Sequence, residues 1–123
     1  MQKLALANNN KVQVVSDQIG QPTSALSLAE QIVTLVKSGA PFGVYHGTNS
    51  GEASWFEFAQ EIFSAIGADA SRVTPIKSEE YKQIAKRPSY SVLSHEKSIN
   101  IGIYSMKEWR LTLKNDFVLN GGL

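Results

Sequence analysis

The stretch Lys11–Lys37, KVQVVSDQIGQPTSALSLAEQIVTLVK, decides how this chain of 123 residues is read. It opens on Val12-Gln13-Val14-Val15, a short run of β-branched residues suited to a pleated strand. The polar turn Ser16–Pro22 stops that strand. Ala25, Leu28, Ala29, Ile32, Val33 and Val36 then recur at the spacing of one helix face. Thr23 or Ser24 is placed to cap the helix, Pro22 keeps its entry extended, and Gly39 lies just past its end. A strand feeding an amphipathic helix is half of a βαβ unit, so the chain reads as α/β.

Downstream, Gly43-Val44-Tyr45-His46 reads as a second short strand, followed by the turn-forming loop Gly47–Gly51. Ser54 and Glu57 have the spacing of a capping box. They open a helix with Trp55, Phe58, Ala59, Ile62, Phe63 and Ile66 inward, stopped at Gly67. Val73–Ile76 is a third extended run, with Pro75 marking an edge or an end. Ser94 and Gly102 bound a short helix, and a capping box at Ser105 and Glu108 starts a last one, with Met106, Trp109 and Leu113 buried. Met1–Asn10 reads as the tail of a helix, and Asn120–Leu123 as a fraying end. Three strands and three main helices are too few for a self-contained doubly wound sheet. The expected architecture is therefore a set of incomplete βα units, one domain over residues 1–123, lacking a partner domain.

Composition narrows the functional classes. Twelve basic against eleven acidic residues leave a net charge of +1, without the electrostatic footprint of a nucleic-acid or anionic-membrane binder. There is no cysteine, which removes disulfides, thiol chemistry and cysteine-based metal sites and fits a cytoplasmic protein. No dinucleotide G-x-G-x-x-G, P-loop or G-x-S-x-G elbow occurs. His46 and His95 sit in no metal-binding pattern and read as ordinary structural or surface side chains. Tyr45, Tyr81, Tyr90 and Tyr104 are followed four residues on by Asn49, Ala85, Ser94 and Glu108, so no Tyr-x-x-x-Lys acid/base pair exists. No residue is expected to be catalytic, to hold a cofactor or to bind a metal.

Binding chemistry is concentrated in Lys86-Arg87-Pro88-Ser89-Tyr90-Ser91, two cations beside a rigid proline and hydroxyls. A guanidinium suits bidentate phosphate recognition, and hydroxyls suit sugars. The alternative is a solvated loop whose Arg87 pairs with Glu79 or Glu80. Asp17 reads as a turn residue bonding local backbone, and Trp55 and Trp109 as core.

Four motifs in order resemble the dTDP-4-dehydrorhamnose reductases, a family of extended short-chain dehydrogenase/reductases. Val14–Thr23 is similar to the family's V-V-x-D-Q-x-G-x-P-T, and Gly43–His46 with Gly51–Ala59 to its G-x-Y-H … G-x-x-S-W block. Arg87–Lys97 resembles R-P-x-x-S-x-L-x-x-E-K, and Trp109–Leu113 the closing helix. The resemblance runs from about Leu4 to Phe117 and implies the C-terminal, substrate-binding lobe of such a reductase, with the N-terminal Rossmann half and its Tyr-x-x-x-Lys missing. It implies reduction of dTDP-4-dehydro-L-rhamnose to dTDP-L-rhamnose in the full-length enzyme, with NADPH or NADH held by the missing half and none by this segment. The implied substrate-binding residues are Arg87, on the diphosphate, with Tyr90 and Ser91. The implied partners are a dTDP-sugar and a Rossmann domain, with a homodimer left open and neither nucleic acid nor membrane. Two other readings stay open: a regulatory module like the methionine adenosyltransferase β subunit, and a freestanding domain serving a separate Rossmann chain.

Overall fold

The computed structural model describes residues 10–81, 85–104 and 106–119. The expected N-terminal helix tail up to Asn9, the C-terminal end and Ser105 lie outside the described residues. The strand β1 (Val12–Val15) and the two-residue β2 (Ile19–Gly20) lead into helix α1 (Ala25–Lys37). Then come β3 (Asn49–Ser50), β4 (Ala53–Ser54), helix α2 (Trp55–Ala65), a 3-10 turn at Ala70–Arg72 and β5 (Val73–Ile76). The short helix α3 (Glu96–Asn100), β6 (Met106–Glu108) and α4 (Trp109–Leu119) follow.

The α/β class holds, but the strands form three separate pairs. β1 runs parallel to β5, with Val12 opposite Val73 and Val15 opposite Ile76. A parallel pair requires a crossover, and α2, which belongs to it, packs back onto both strands. Phe63 and Ala59 on α2 and Val14 and Val73 on the strands form one buried cluster, with Phe63 wholly out of solvent. β2 pairs antiparallel with β4, and β3 parallel with β6.

Three expectations need correction. Gly43–His46 forms no strand: among the described residues it has no ladder partner, and a strand exists only through its neighbour's hydrogen bonds. Phe42 and Val44 stand almost entirely in solvent. The extended pairing occurs instead at Asn49–Ser50, inside the stretch read as a plain turn. The last helix begins at Trp109, after β6, and its first amides are held by Glu108 itself, whose Oε2 accepts from Arg110 N at 2.8 Å and Leu111 N at 3.1 Å.

Helix α1 forms where its periodicity placed it, with Ser24 as the cap accepting from Ser27 N. Its apolar face, however, is open. Ile32 and Val33 are half-exposed and Val36 three-quarters exposed, and the helix has no buried residue. Leu28 and Leu35 on the same helix are half-buried, so the exposed apolar surface is confined to the Ile32, Val33 and Val36 side.

The Ser54–Glu57 capping box is complete: Ser54 Oγ accepts from Glu57 N at 3.1 Å, and Glu57 Oε2 accepts from Ser54 N at 2.7 Å. The Ser54 backbone and then its hydroxyl hold the Glu57 carboxyl below the ordinary glutamate value, against a smaller opposing effect of burial. A depressed folded pKa adds stability above the unfolded value, and that addition is lost as pH falls through the folded one. Ser54→Ala should therefore cost about 1 kcal/mol at neutral pH. The deficit should shrink below the ordinary value of 4.5. Urea denaturation at the two pH values checks this, and an equal deficit at both would contradict it.

Candidate functional site

The site is assembled by zipping the turn after β1 onto the segment Arg87–Leu93. Ile19 N donates to Ser89 O at 2.8 Å, and Ser91 N donates back to Ile19 O at 2.9 Å. Ile19 and Tyr90 form a parallel bridge there. The Gln21 side chain continues the pairing as a surrogate peptide: its Oε1 accepts from Leu93 N at 2.8 Å and its Nε2 donates to Leu93 O at 3.4 Å. Gly20 permits the close approach, since a Cβ there would lie 3.1 Å from Ser91 Oγ. Together these contacts set Arg87 beside Gln18, far apart in sequence.

Asp17 contributes from the other side. Rather than closing a local turn, it accepts from Ser78 N at 3.0 Å and from Ser78 Oγ at 3.0 Å, tying the end of β1 to the residues after β5. Desolvation would raise its carboxyl, but the Ser78 hydroxyl and amide prevail and leave it below the ordinary aspartate value. The bond fixes the backbone immediately before Gln18.

Between these walls lies a cavity of about 660 Å³, within the range typical of small-molecule sites. It is lined by Gln18, Pro22, Thr23, Thr48, Ser54, Trp55, Phe58, Arg87 and Ser91, among others. A smaller cleft of about 190 Å³ adjoins it, lined by Gln13, Val14, Val15, Gln18, Trp55, Tyr81 and Arg87. Gln18, Trp55 and Arg87 are common to both.

Of the residues singled out in sequence, Arg87 and Ser91 line the large cavity. The Arg87 guanidinium is exposed and makes no hydrogen bond or ion pair among the described residues; the alternative pairing with Glu79 or Glu80 does not form. Ser91 is partly engaged, donating its hydroxyl to Ile19 O at 3.2 Å. Tyr90 is turned to another task. Its hydroxyl donates to Glu52 Oε1 at 2.8 Å, an interaction that raises its pKa, and it lines neither cavity.

Sequence reasoning missed two lining residues. Trp109 is core, as expected, at 2% exposed. Trp55 is not: at 49% exposed it forms a wall of both cavities from the first position of α2, while the buried residues of that helix, Ala59, Ile62 and Phe63, lie further along it. Gln18 is 94% buried by its 6% exposure, yet its side-chain amide has no hydrogen-bond partner among the described residues. Position alone could have pointed to it, since Gln18 follows Asp17 inside the turn singled out for its polarity.

Both histidines are hydrogen-bonded. His46 Nδ1 donates to Ser94 O at 2.9 Å, and His95 Nε2 meets Thr48 Oγ1 at 2.7 Å, while Thr48 donates to Gln21 Oε1 at 3.0 Å. No group of three His, Asp or Glu side chains gathers as a metal site among the described residues. In the glycine-containing loop Gly47–Gly51, Gly51 packs against the indole of Trp109, where a Cβ would lie 3.0 Å away, and Gly47 presses on Leu28. No described helix is long and apolar enough to cross a membrane.

A ligand-binding α/β lobe, with an aromatic wall, an unpaired guanidinium and no acid/base pair, is the class that fold and site define. The family profile described as the RmlD substrate binding domain matches residues 1–118, and the chain belongs to that family. It is 44% identical over 108 residues to a dTDP-4-keto-6-deoxy-D-glucose reductase of Streptomyces niveus, covering 88% of this chain and 37% of that protein. It is 38% identical to a dTDP-4-dehydrorhamnose reductase of Mycolicibacterium smegmatis, covering 94% of this chain and 35% of the relative. Among solved structures, a dTDP-4-dehydrorhamnose reductase of Clostridium acetobutylicum superposes with a TM-score of 0.89 at 35% identity, covering 97% of this chain and 41% of the other. A dTDP-4-dehydrorhamnose reductase of Bacillus anthracis, in complex with NADP, gives 0.85 at 35% identity and covers 95% of this chain and 40% of its own. The chain thus spans about two fifths of these relatives or less.

The zipping of the Gln18 turn onto Arg87 has a direct check. Gln21→Ala removes both side-chain bonds to Leu93 and should cost about 1–2 kcal/mol. The Leu93 amide should exchange at least tenfold faster with solvent, read by hydrogen exchange. Unchanged protection at Leu93 would mean that the backbone pairing at Ile19 holds the segment alone.

Proposed function

We infer that this chain is the substrate-binding part of an NAD(P)H-dependent reductase that converts dTDP-4-dehydro-L-rhamnose to dTDP-L-rhamnose. The observation that carries the reading is the Arg87 guanidinium, unpaired at the meeting of two cavities. A positive, planar fork beside a cavity lined by hydroxyls and amides is the recognition chemistry of a sugar diphosphate. Family membership and the reductases among the relatives support the same substrate class.

Hydride transfer lies beyond this chain's residues. The described residues do not fit a dinucleotide and hold no Tyr-x-x-x-Lys, so both belong to the N-terminal portion that makes up the rest of the relatives' length. The NADP in the Bacillus anthracis structure supports a nicotinamide cofactor for the full-length enzyme. The exposed apolar residues of α1 and the exposed Phe42 and Val44 are the surface on which that portion docks. A regulatory reading finds no support in these relatives, which are named as reductases.

What the chain itself contributes is binding and orientation. Arg87 holds the diphosphate, and the fixed turn Asp17–Gln21 and Ser91 shape the sugar's surroundings. Fixing the sugar relative to the hydride donor is where a lobe of this kind gains rate. Arg87→Ala should weaken dTDP binding by about 1–3 kcal/mol, as for a lost charged hydrogen bond, and Arg87→Lys should recover only part of it. Isothermal titration with dTDP checks this, and an affinity unchanged by Arg87→Ala would contradict it.

A further inference from the structure

The segment Arg87–Ser91 carries the unpaired guanidinium, and every one of its residues is exposed. Apolar packing does not hold it, so its place depends on hydrogen bonds. Most of these run to a single turn. Ser89 O and Ser91 N meet the two backbone groups of Ile19, the Ser91 hydroxyl adds a third bond there, and just beyond the segment Leu93 meets the Gln21 side chain. Pro88 restricts the backbone of Arg87 itself to the extended region. Bonds to one turn form a line of attachment, and tilt about that line stays free. A fixed guanidinium needs a second point off the line.

Tyr90 supplies that point. β2 pairs with β4 on one edge and, through Ile19, with Tyr90 on the other, so the Tyr90 hydroxyl that donates to Glu52 Oε1 at 2.8 Å reaches across β2. A hydroxyl on a carboxylate is a charge-assisted bond, stronger than one between neutral groups. Glu52 immediately precedes β4, and its carbonyl accepts from the Trp109 indole at 3.3 Å. Trp109 is buried and meets Phe58 edge to face. Through Glu52 the exposed segment is therefore tied to the core beneath α4. Neither Tyr90 nor Glu52 lines either cavity.

We propose that Tyr90 and Glu52 are positioning residues: their bond fixes the tilt of the Arg87 segment and holds the guanidinium ready where the two cavities meet. The proposal rests on the reading of Arg87 as the group that holds the diphosphate and adds what keeps it in place. A guanidinium whose origin is fixed loses less freedom when it forms its bonds, and such preorganisation appears as affinity. The charge of Glu52 makes the sign of its effect diagnostic. Acting through charge alone, a carboxylate opposes anion binding, and its removal tightens the complex. Acting as the acceptor of the clasp, it supports anion binding, and its removal weakens the complex.

Calorimetric titration of the chain with dTDP and with inorganic pyrophosphate tests this. Tyr90→Phe keeps the ring, removes the bond and should weaken both ligands about tenfold, the equivalent of one hydrogen bond's worth of ordering. Glu52→Ala should weaken them to the same extent although it removes a negative charge. Glu52→Gln, whose side-chain carbonyl still accepts from the hydroxyl, should bind at least as tightly as the unaltered chain. Tyr90→Phe and Glu52→Ala combined should be no worse than either alone. The pair is exposed, so the urea midpoint should move little in any of them. The Ser91 amide should keep its protection from hydrogen exchange, because the Ile19 bridge remains. Tighter binding in Glu52→Ala, unchanged affinity in Tyr90→Phe, or lost protection at Ser91 overturns the clasp, while the sugar-nucleotide reading stands if Arg87→Ala still weakens both ligands. If neither ligand binds the unaltered chain, or Arg87→Ala changes neither affinity, the reading itself fails and the clasp with it.

Discussion

The amide of Asn49, wholly buried, is the constraint on which this small structure hangs. Its Oδ1 accepts from Ser24 N at 2.8 Å, at the start of α1, and its Nδ2 donates to Lys107 O at 2.8 Å in β6 and to Thr112 Oγ1 at 3.3 Å in α4. Its own backbone amide donates to Thr23 Oγ1 at 3.3 Å. One side chain thus joins the entry of α1 to two elements near the far end of the chain. Three two-stranded sheets cannot hold one another by ladder bonds, so such side-chain ties carry the connection between them. Removing the Asn49 side chain would leave the Ser24 amide and the Lys107 carbonyl without it, and an unpaired buried polar group costs more than its bond contributes.

The same division of labour shapes the site. The α2 layer over β1 and β5 is an ordinary apolar core, packed around Phe63. The site lies outside that core, where backbone is held by side chains acting as stand-ins for backbone: Gln21 for Leu93, Asp17 for Ser78 and the Trp109 indole for the Glu52 carbonyl. Each anchoring group is satisfied. Gln18 and Arg87, set between the anchored groups, are not. Rigid surroundings with unsatisfied groups directed at a cavity are what preorganised binding requires.

Local physics made α1, α2, the capping box at Ser54 and strands β1 and β5 legible in the sequence, because periodicity and caps are properties of neighbouring residues. Pairing and burial are not. Gly43–His46 has the composition of a strand and lacks a partner among the described residues; Asn49 has the composition of a turn and is wholly buried and hydrogen-bonded through both ends of its amide. Trp55 looked like core because its spacing matches Ala59 and Ile62, but it stands at the first position of α2 and is half-exposed where those two are buried. Arg87 was legible through the chemistry of its neighbours and through resemblance. For Gln18 only its place in the polar turn was legible, since a buried amide without a partner can be recognised only once its surroundings are known.

The most direct test of this account is a nitrogen-15 NMR titration of the chain with dTDP. The account predicts shifts concentrated at the Gln18 side-chain amide, the Trp55 indole and the Arg87 guanidinium, while the Trp109 indole and the Asn49 amide stay in place. Shifts centred instead on His46, Thr48 and His95, with Gln18 and Arg87 unmoved, would contradict it.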